Sequence, residues 1–524
     1  MIHNTNTFSI LFPEGYSEFQ VIQPVFFQDL QLEGILKAIT SKYMGFDINK
    51  YFYTLPNSQR TILFRQNVYK DLEKNPSMVT ALKQYIYRIQ ASENCFRYYL
   101  QVEDMIKKGS YLLLTCRNYL EALEKLSETL EKSDISSEGF QSLKEILEEM
   151  FAEEEFTGFR QMVEEAFSYM EQMNLTLLVK DSELSVLEQE SQKEQGVCER
   201  IQEYLKAFGV EPDKKDATVH NIFPAPLETC ALENTIIEIL QKSRPQIFEV
   251  LKRFASCGFS LSSEDLFLKL KNEILFYICF FEFEQQLKEV GYPLQFPQIC
   301  AQKGMKLKGV YDVALAWKNR FSGYSVVKND ICYQSGKSFL VITGPNQGGK
   351  TTLARGIGQC VYFMLIGLKA PCDTMTSRFF ESILTHFEVE ESVETGAGKL
   401  KEELQRLKPM MQDLSGNRTH NFVILNELFT TATTYDARIM AQKVMKHFME
   451  NQCMGIYVTH IQELADEKSQ EGAQSMVAQL DPENPSVRTF KIIPMEAKGL
   501  GYSDSIVRKY ELDFEHVTSR ISGL

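Results

Sequence analysis

Residues 337–351 read KSFLVITGPNQGGKT, and few folds accommodate that run. A short apolar segment, FLVIT, ends in β-branched residues and predicts a buried strand. Gly344, Gly348 and Gly349 follow it. Glycine lets the backbone turn its N–H groups inward, where a side chain would block them. TTLARGIGQCVYFMLIG then predicts an amphipathic helix. The pattern G-x-x-x-x-G-K-[ST] between a strand and a helix is a phosphate cradle, because loop N–H groups and a helix N-terminus both attract anions. A glycine-rich turn with a chance lysine is the alternative, and the flanking strand and helix argue against it. Gly344, Pro345, Asn346, Gln347, Gly348, Gly349, Lys350, Thr351 and Thr352 are the expected ATP-binding residues. Lys350 is placed to reach the β- and γ-phosphates, and the Thr351 hydroxyl to reach Mg²⁺.

Two further apolar runs, NFVILNE (421–427) and MGIYVTH (454–460), alternate with the helical segments LKEELQRLKPMMQDL and DARIMAQKVMKHFMENQ. Continuous apolar strands between helices predict a largely parallel sheet covered on both faces. QSMVAQL and VRTFKIIP (474–480, 487–494) flank a DPENP turn and predict a closing hairpin. Leu425-Asn426-Glu427 falls at the carboxyl end of its strand, where ligands bind in such sheets. Glu427 is the expected group that polarises an attacking water; an N-cap or surface acid is the alternative. Asn426 can accept a hydrogen bond from a metal-bound water but brings no charge, so weaker Mg²⁺ affinity and slower hydrolysis are expected. His460, after Thr459, is expected to sense a γ-phosphate or bond the attacking water; a structural histidine at a strand end is the alternative.

Upstream, residues from about 60 to 310 read as almost wholly helical. ALEKLSETLEK and QSLKEILEEM space Leu and Ile at helical intervals. Ser262 and Asp265 begin a long helix that continues from Leu266 to Val290. Pro245 divides or bends the 231–255 segment, and residues 208–229 lack periodicity and read as an excursion. Residues 121–200 hold 21 Asp and Glu against 7 Lys and Arg, a net of −14, equal to the −14 of the whole chain. The rest of the chain therefore sums to zero. This stretch repels nucleic-acid phosphates. It is either a solvated helical face or a surface for a basic protein partner. The 11 cysteines form no CxxC pair, which points to reduced thiols and a cytoplasmic protein. No basic, apolar leader opens the chain, and no apolar run reaches the ~20 residues of a membrane span, so no membrane partner is expected.

VKNDICYQSGKSFLVITGPNQGGKTTLARGIGQ resembles the ATPase core of the MutS mismatch-repair family, which reads PND, a strand, then TGPNMGGKST. NELFTTATTYDA resembles that family's DE-x-GRGTSTYDG stretch, and VTHIQELAD its ATH-x-x-EL switch. The three blocks keep family order between residues 326 and 466, and RTILFRQNVYKDLE (60–73) is an upstream echo.

The resemblance implies an α + α/β chain. An N-terminal segment (1–60) precedes a long-helix core/lever domain (61–315) with a short clamp-like excursion near 175–230. A P-loop, ABC-like ATPase domain (316–524) follows. It implies a homodimer whose ATP, held with Mg²⁺ by one subunit, is completed by a loop of the other. The counterpart of that loop is TGAGK, 395–399, where Gly396 and Gly398 are the candidate trans contacts and no serine is present. Thr433, Thr434 and Asp436 form a signature-like loop. Val326, with Tyr324 near by, stands where the family has an aromatic on the adenine, and Asn426 stands where it has Asp.

The family's mismatch sensor carries a Phe-x-Glu wedge. Here Phe12-Pro13-Glu14 lies within the first 60 residues, ahead of the helical region, so mismatch reading by a wedge is not expected, nor is a nuclease tail. The expectation is an ATP-dependent DNA-binding protein whose helical levers move around DNA, with phosphate contacts from Lys303, Lys306, Lys308 or Arg320 unless these are a solvated face. A nucleotide-driven switch gripping a protein or ribonucleoprotein partner is the alternative. A metabolic P-loop kinase fits less well with lever-like helices.

Overall fold

The long helices start and stop where local chemistry dictates. Pro76 and Pro245 each open a helix at its first turn, where a missing N–H costs nothing. Pro245 thus separates two helices, Ala231–Ser243 and Pro245–Ala255. Asp104 caps Met105–Lys132 by accepting from the Ile106 and Lys107 N–H groups. Asp265 caps Leu266–Glu289 by accepting from Phe267 and Leu268. The computed structural model of the protein describes residues 8–15, 19–171, 175–180, 183–188, 231–256, 258–259, 261, 265–300, 304–388, 398–412, 414, 420–466, 471–481, 487–497 and 512–522. Ser262, the 208–229 excursion, Lys303, Gly396 and residues 482–485 of the DPENP turn lie outside these.

Contacts divide the chain into two units. The first is 1–8 with 71–271; the second is 9–70 with 272–524. These are not the boundaries at 60 and 315 expected from the sequence. Helical periodicity reveals which face of a helix is buried, but not which core receives it.

In the first unit, helices Pro76–Gln101 and Met105–Lys132 pack along each other. Leu112, Cys116, Tyr119, Leu123, Leu126 and Leu130 form the buried stripe of the second. Gly109 lets that helix touch Pro245–Ala255: a Cβ there would lie 1.9 Å from the Leu251 carbonyl oxygen. Part of the acidic surface is neutralised locally, with Arg160 bridging Glu124 and Glu164, and Lys125 and Lys132 flanking Glu128. Strands β1 (Leu175–Lys180) and β2 (Glu183–Glu188) pair antiparallel inside the region expected to be an excursion.

Among the described residues, the second unit contains two sheets. The smaller joins β3 (Gln298–Ile299), β4 (Met305–Val310), β5 (Asn329–Cys332) and β7 (Thr374–Ser377), in the order β3-β7-β4-β5. It corrects the reading of 60–310 as almost wholly helical. Its strands are short; β4 alternates, with Met305 and Leu307 buried and Lys306 and Lys308 exposed, and so does β5, with Asn329 and Ile331 buried and Asp330 and Cys332 exposed.

The larger sheet joins β6 (Phe339–Thr343), β8 (Ser382–His386), β9 (Asn421–Asn426), β10 (Met454–Val458), β11 (Ala473–Leu480) and β12 (Arg488–Pro494), in the order β12-β11-β6-β10-β9-β8. All neighbours are parallel except the closing β11–β12 hairpin. Every residue of β6, β9 and β10 is buried, as their unbroken apolar runs require. On one face, Leu407 and Met410 of helix Lys399–Gln412 and Ala441, Met445 and Phe448 of helix Thr434–Glu450 join the core around Val341, Val423 and Tyr457. Helix Lys350–Leu365 also packs on β8, β9 and β10, and nearly all its residues are buried.

Candidate functional site

The loop after β6 is shaped by its glycines. Gly344 has φ +125° and Gly349 has φ +88°, and a Cβ at Gly344 would lie 2.9 Å from the Ala478 Cβ on β11. Gln347, with φ +62°, holds the same left-handed region without glycine's freedom. Strain of this kind persists only where surrounding structure enforces it, and it concentrates at functional sites. Helix Lys350–Leu365 starts at Gly349, so its N-terminus opens into the loop.

Lys350 is 5% exposed. Its Nζ donates to the carbonyl oxygens of Gly344 at 2.9 Å and Pro345 at 3.2 Å. Burial pushes its pKa below the usual lysine value; the Glu427 carboxylate opposes this, and Arg488 adds to it. Thr351 Oγ1 donates to Asn426 Oδ1 at 3.0 Å, so the first hydroxyl of the helix and the end of β9 meet directly.

After β9 the chain makes two left-handed steps, at Glu427 (φ +54°) and Phe429 (φ +60°). The Glu427 N–H donates to the Val458 carbonyl at 2.9 Å, which ties this turn to the end of β10. Thr459 N–H donates to Ile342 at 3.1 Å and ties β10 to β6. The strand ends at Val458, so His460 lies beyond the strand and not at its terminus as expected. Its Nε2 is 2.9 Å from Glu427 Oε1, with the histidine side chain 50% and the glutamate 14% exposed.

The glycine loop and Glu427 line a cavity of about 600 Å³, while Asn426 and His460 stand behind its wall, bonded to Thr351 and Glu427. Asn346 to Leu353 and Glu427 form its polar wall; Val310, Tyr311, Leu315, Val326 and Phe490 form the apolar one. Such a mixture of apolar area and few directed polar groups suits a small ligand. Val326 is buried, and its N–H donates to the Tyr292 hydroxyl at 2.7 Å, whereas Tyr324 is exposed and forms no part of the wall. Sequence reasoning missed Phe490. It has φ +56° on β12, and its carbonyl accepts from Asn329 Nδ2 at 3.1 Å while Asn329 Oδ1 accepts from Ile492 N–H at 2.9 Å. The asparagine of VKND was the available signal: its amide bridges β5 to β12 as a backbone group would.

Other expected residues fall elsewhere. Thr433 caps helix Thr434–Glu450, accepting from the Asp436 N–H and donating to its carboxylate at 2.7 Å. Thr433, Thr434 and Asp436 are exposed and do not line the cavity. Gly398 is exposed just ahead of helix Lys399–Gln412. Gly344 and Pro345 contribute carbonyls to Lys350 from behind the loop and do not line the cavity.

The residues present fit a magnesium–triphosphate. Gly344 and Gly348 let the loop lie against Ala478 of β11, where a Cβ at either would come within 2.9 and 3.0 Å of the alanine Cβ; Lys350 supplies the cation, and Thr351 and Glu427 on the wall, with Asn426 bonded to Thr351, supply hard oxygen donors of the type Mg²⁺ takes. The class defined is an α/β protein with its site at the carboxyl ends of parallel strands.

Comparison with known proteins narrows this. A family model for MutS domain V matches residues 340–499, and one for the MutS2 N-terminal domain matches residues 57–290. Endonuclease MutS2 of Fusobacterium nucleatum is 23% identical over 313 residues, which cover 57% of this chain and 38% of that protein. DNA mismatch repair protein MSH2 of Saccharomyces cerevisiae is 30% identical over 144 residues, covering 27% of this chain and 15% of that protein. DNA mismatch repair protein MutS of Shouchella clausii is 28% identical over 141 residues, covering 27% and 16% respectively. The chain spans less than half the length of these relatives. It is a MutS-related protein.

Proposed function

We propose that this protein is an ATP-dependent DNA-binding protein of the MutS type. One observation carries the reading: Lys350, Thr351 and Glu427 line one cavity with the glycine loop, with Asn426 bonded to Thr351 and His460 to Glu427. Bound Mg²⁺–ATP supplies the phosphoanhydride and a fixed negative charge. Lys350 leaves the loop carbonyls to pair with that charge, and the loop N–H groups and helix N-terminus add to the attraction. Thr351 and Asn426 hold the metal side, and the neutral amide of Asn426 makes that hold weaker and hydrolysis slower than a carboxylate would. Glu427 orients water and takes up its proton, while His460 fixes the carboxylate. A second copy of the chain completes the site through the 395–399 loop, and the resulting motion is transmitted to the long helices around DNA.

The test is ATP hydrolysis with and without duplex and branched DNA, with Glu427→Ala as the control. Hydrolysis lost in that variant, together with DNA affinity that falls steeply with salt, supports the proposal. Failure of the purified protein to retain an adenine nucleotide overturns it, and salt-insensitive or absent DNA binding overturns the DNA part.

A further inference from the structure

Arg320 is one of the four basic residues expected to contact phosphate, and its surroundings set it apart. Lys306 and Lys308 stand on the exposed side of β4. Arg320 lines a second cavity, of about 400 Å³, within the second unit. Its walls come from helix Leu32–Thr40 and the turn after it, from helix Leu266–Glu289 near Glu282, and from helix Val313–Asn319.

Trp317 packs on Phe283 with ring centroids 4.9 Å apart. The Arg320 guanidinium lies 4.0 Å from the Trp317 ring centroid and 4.6 Å from that of Phe321, and its Nη1 donates to the Trp317 carbonyl at 2.6 Å. The arginine is thus held by stacking and one backbone bond. Neither Arg320 nor Lys37 has a carboxylate partner among the described residues. Lys42 does: it bridges Glu282 at 3.0 Å, and the Tyr43 hydroxyl donates to the same carboxylate at 3.2 Å. Three cations therefore line the cavity against one carboxylate that is already engaged.

We propose that this cavity binds a phosphate ester. A stacked guanidinium presents its remaining N–H groups in a fixed fork that matches phosphate oxygens, at little entropic cost. Lys37 adds a movable point charge from the facing helix. The volume suits a nucleotide-sized ligand. The site is also positioned to communicate with the first cavity. Leu315 of helix Val313–Asn319 lines that one, and Trp317 of the same helix lines this one. The cap of that helix, Asp312, accepts from Gln359 Nε2 at 2.9 Å, and Val313 N–H donates to Gln359 Oε1 at 2.8 Å, which fastens it to the helix that follows the glycine loop.

Trp317 is the only tryptophan in the chain, so its emission reports on this cavity. The full chain is titrated with thymidine 5′-monophosphate, with thymidine, and with a short oligothymidylate, followed by emission and by equilibrium dialysis. Saturable binding of a phosphate ester, with thymidine at least about ten-fold weaker, is expected. Lys37→Glu and Arg320→Ala each weaken it by about ten-fold or more, while Lys350→Ala leaves it unchanged. Tighter binding of the oligonucleotide identifies a nucleic-acid backbone as the source; tighter binding of the monophosphate identifies a free nucleotide. The proposal is overturned if dialysis finds no saturable binding of either ester, if thymidine binds equally well, or if binding vanishes in Lys350→Ala and survives Lys37→Glu. Because Lys350→Ala disables only the first cavity, failure of the proposed ATPase leaves this result readable.

Discussion

His460 Nε2 lies 2.9 Å from Glu427 Oε1, and the backbone N–H of that same glutamate bonds the Val458 carbonyl two residues before the histidine. Side chain and main chain thus join the ends of β9 and β10 twice. On this geometry His460 acts through Glu427. Glu427→Gln is expected to lower single-turnover ATP hydrolysis by about 10²–10⁴-fold while nucleotide is still retained. His460→Ala should cost less, and the double variant should be no slower than Glu427→Gln alone, because two groups acting as one unit are not additive. A double variant much slower than either single one would show that His460 works independently.

The contact between Thr351 Oγ1 and Asn426 Oδ1 makes the charge at residue 426 the testable difference. Asn426→Asp keeps the acceptor oxygen and restores a negative charge beside the hydroxyl. The Mg²⁺ midpoint of ATP hydrolysis should fall by about ten-fold or more, in line with other changes behind a metal ligand. An identical midpoint in both proteins refutes the attenuated-metal reading.

At Gly109 the Met105–Lys132 helix approaches the Leu251 carbonyl too closely for any side chain. Gly109→Ala improves helix propensity yet forces a clash with backbone. A net loss of about 1–3 kcal/mol is expected in urea unfolding of the first unit. A stabilised protein would mean that the two helices separate readily.

His386 on β8 is fully buried, and burial first, then the Arg406 guanidinium, lowers its pKa to about 4. In the unfolded chain an imidazole takes its proton near pH 6.5. Between these values the unfolded state holds the extra proton, so stability is present above pH 6.5 and is lost as pH falls toward 4. The loss is about 3 kcal/mol for the second unit. In His386→Gln this part of the pH dependence should disappear, as read by urea unfolding at several pH values from 7 down to 4.

The place of the glycine loop between a buried strand and a helix was legible in the sequence because it is local. Glycine spacing, the apolar run before it and the helix after it all belong to neighbouring residues. Their order places Lys350 and Thr351 at one strand end without knowledge of the rest. The place of Asn426 and Glu427 was legible for a related reason: they end an apolar run, and parallel strands put such ends on one edge, whereas His460 lies past the end of its strand at Val458. The four short strands of the smaller sheet were not legible, since a strand of two to six residues carries too few alternations to stand out. Nor was Phe490 or the β1–β2 pair inside the supposed excursion.

What the residues determined alone was the long helices, the apolar strands and the residue types at their ends, because backbone conformation and side-chain type act over a few positions. What only tertiary packing decided was partnership. That residues 9–70 join the second core, that Gly109 meets Leu251, and that Lys37 faces Arg320 across a cavity all depend on segments far apart in the chain. Burial is non-directional and rewards any adequate apolar face, so a sequence shows that a face must be covered before it shows by what.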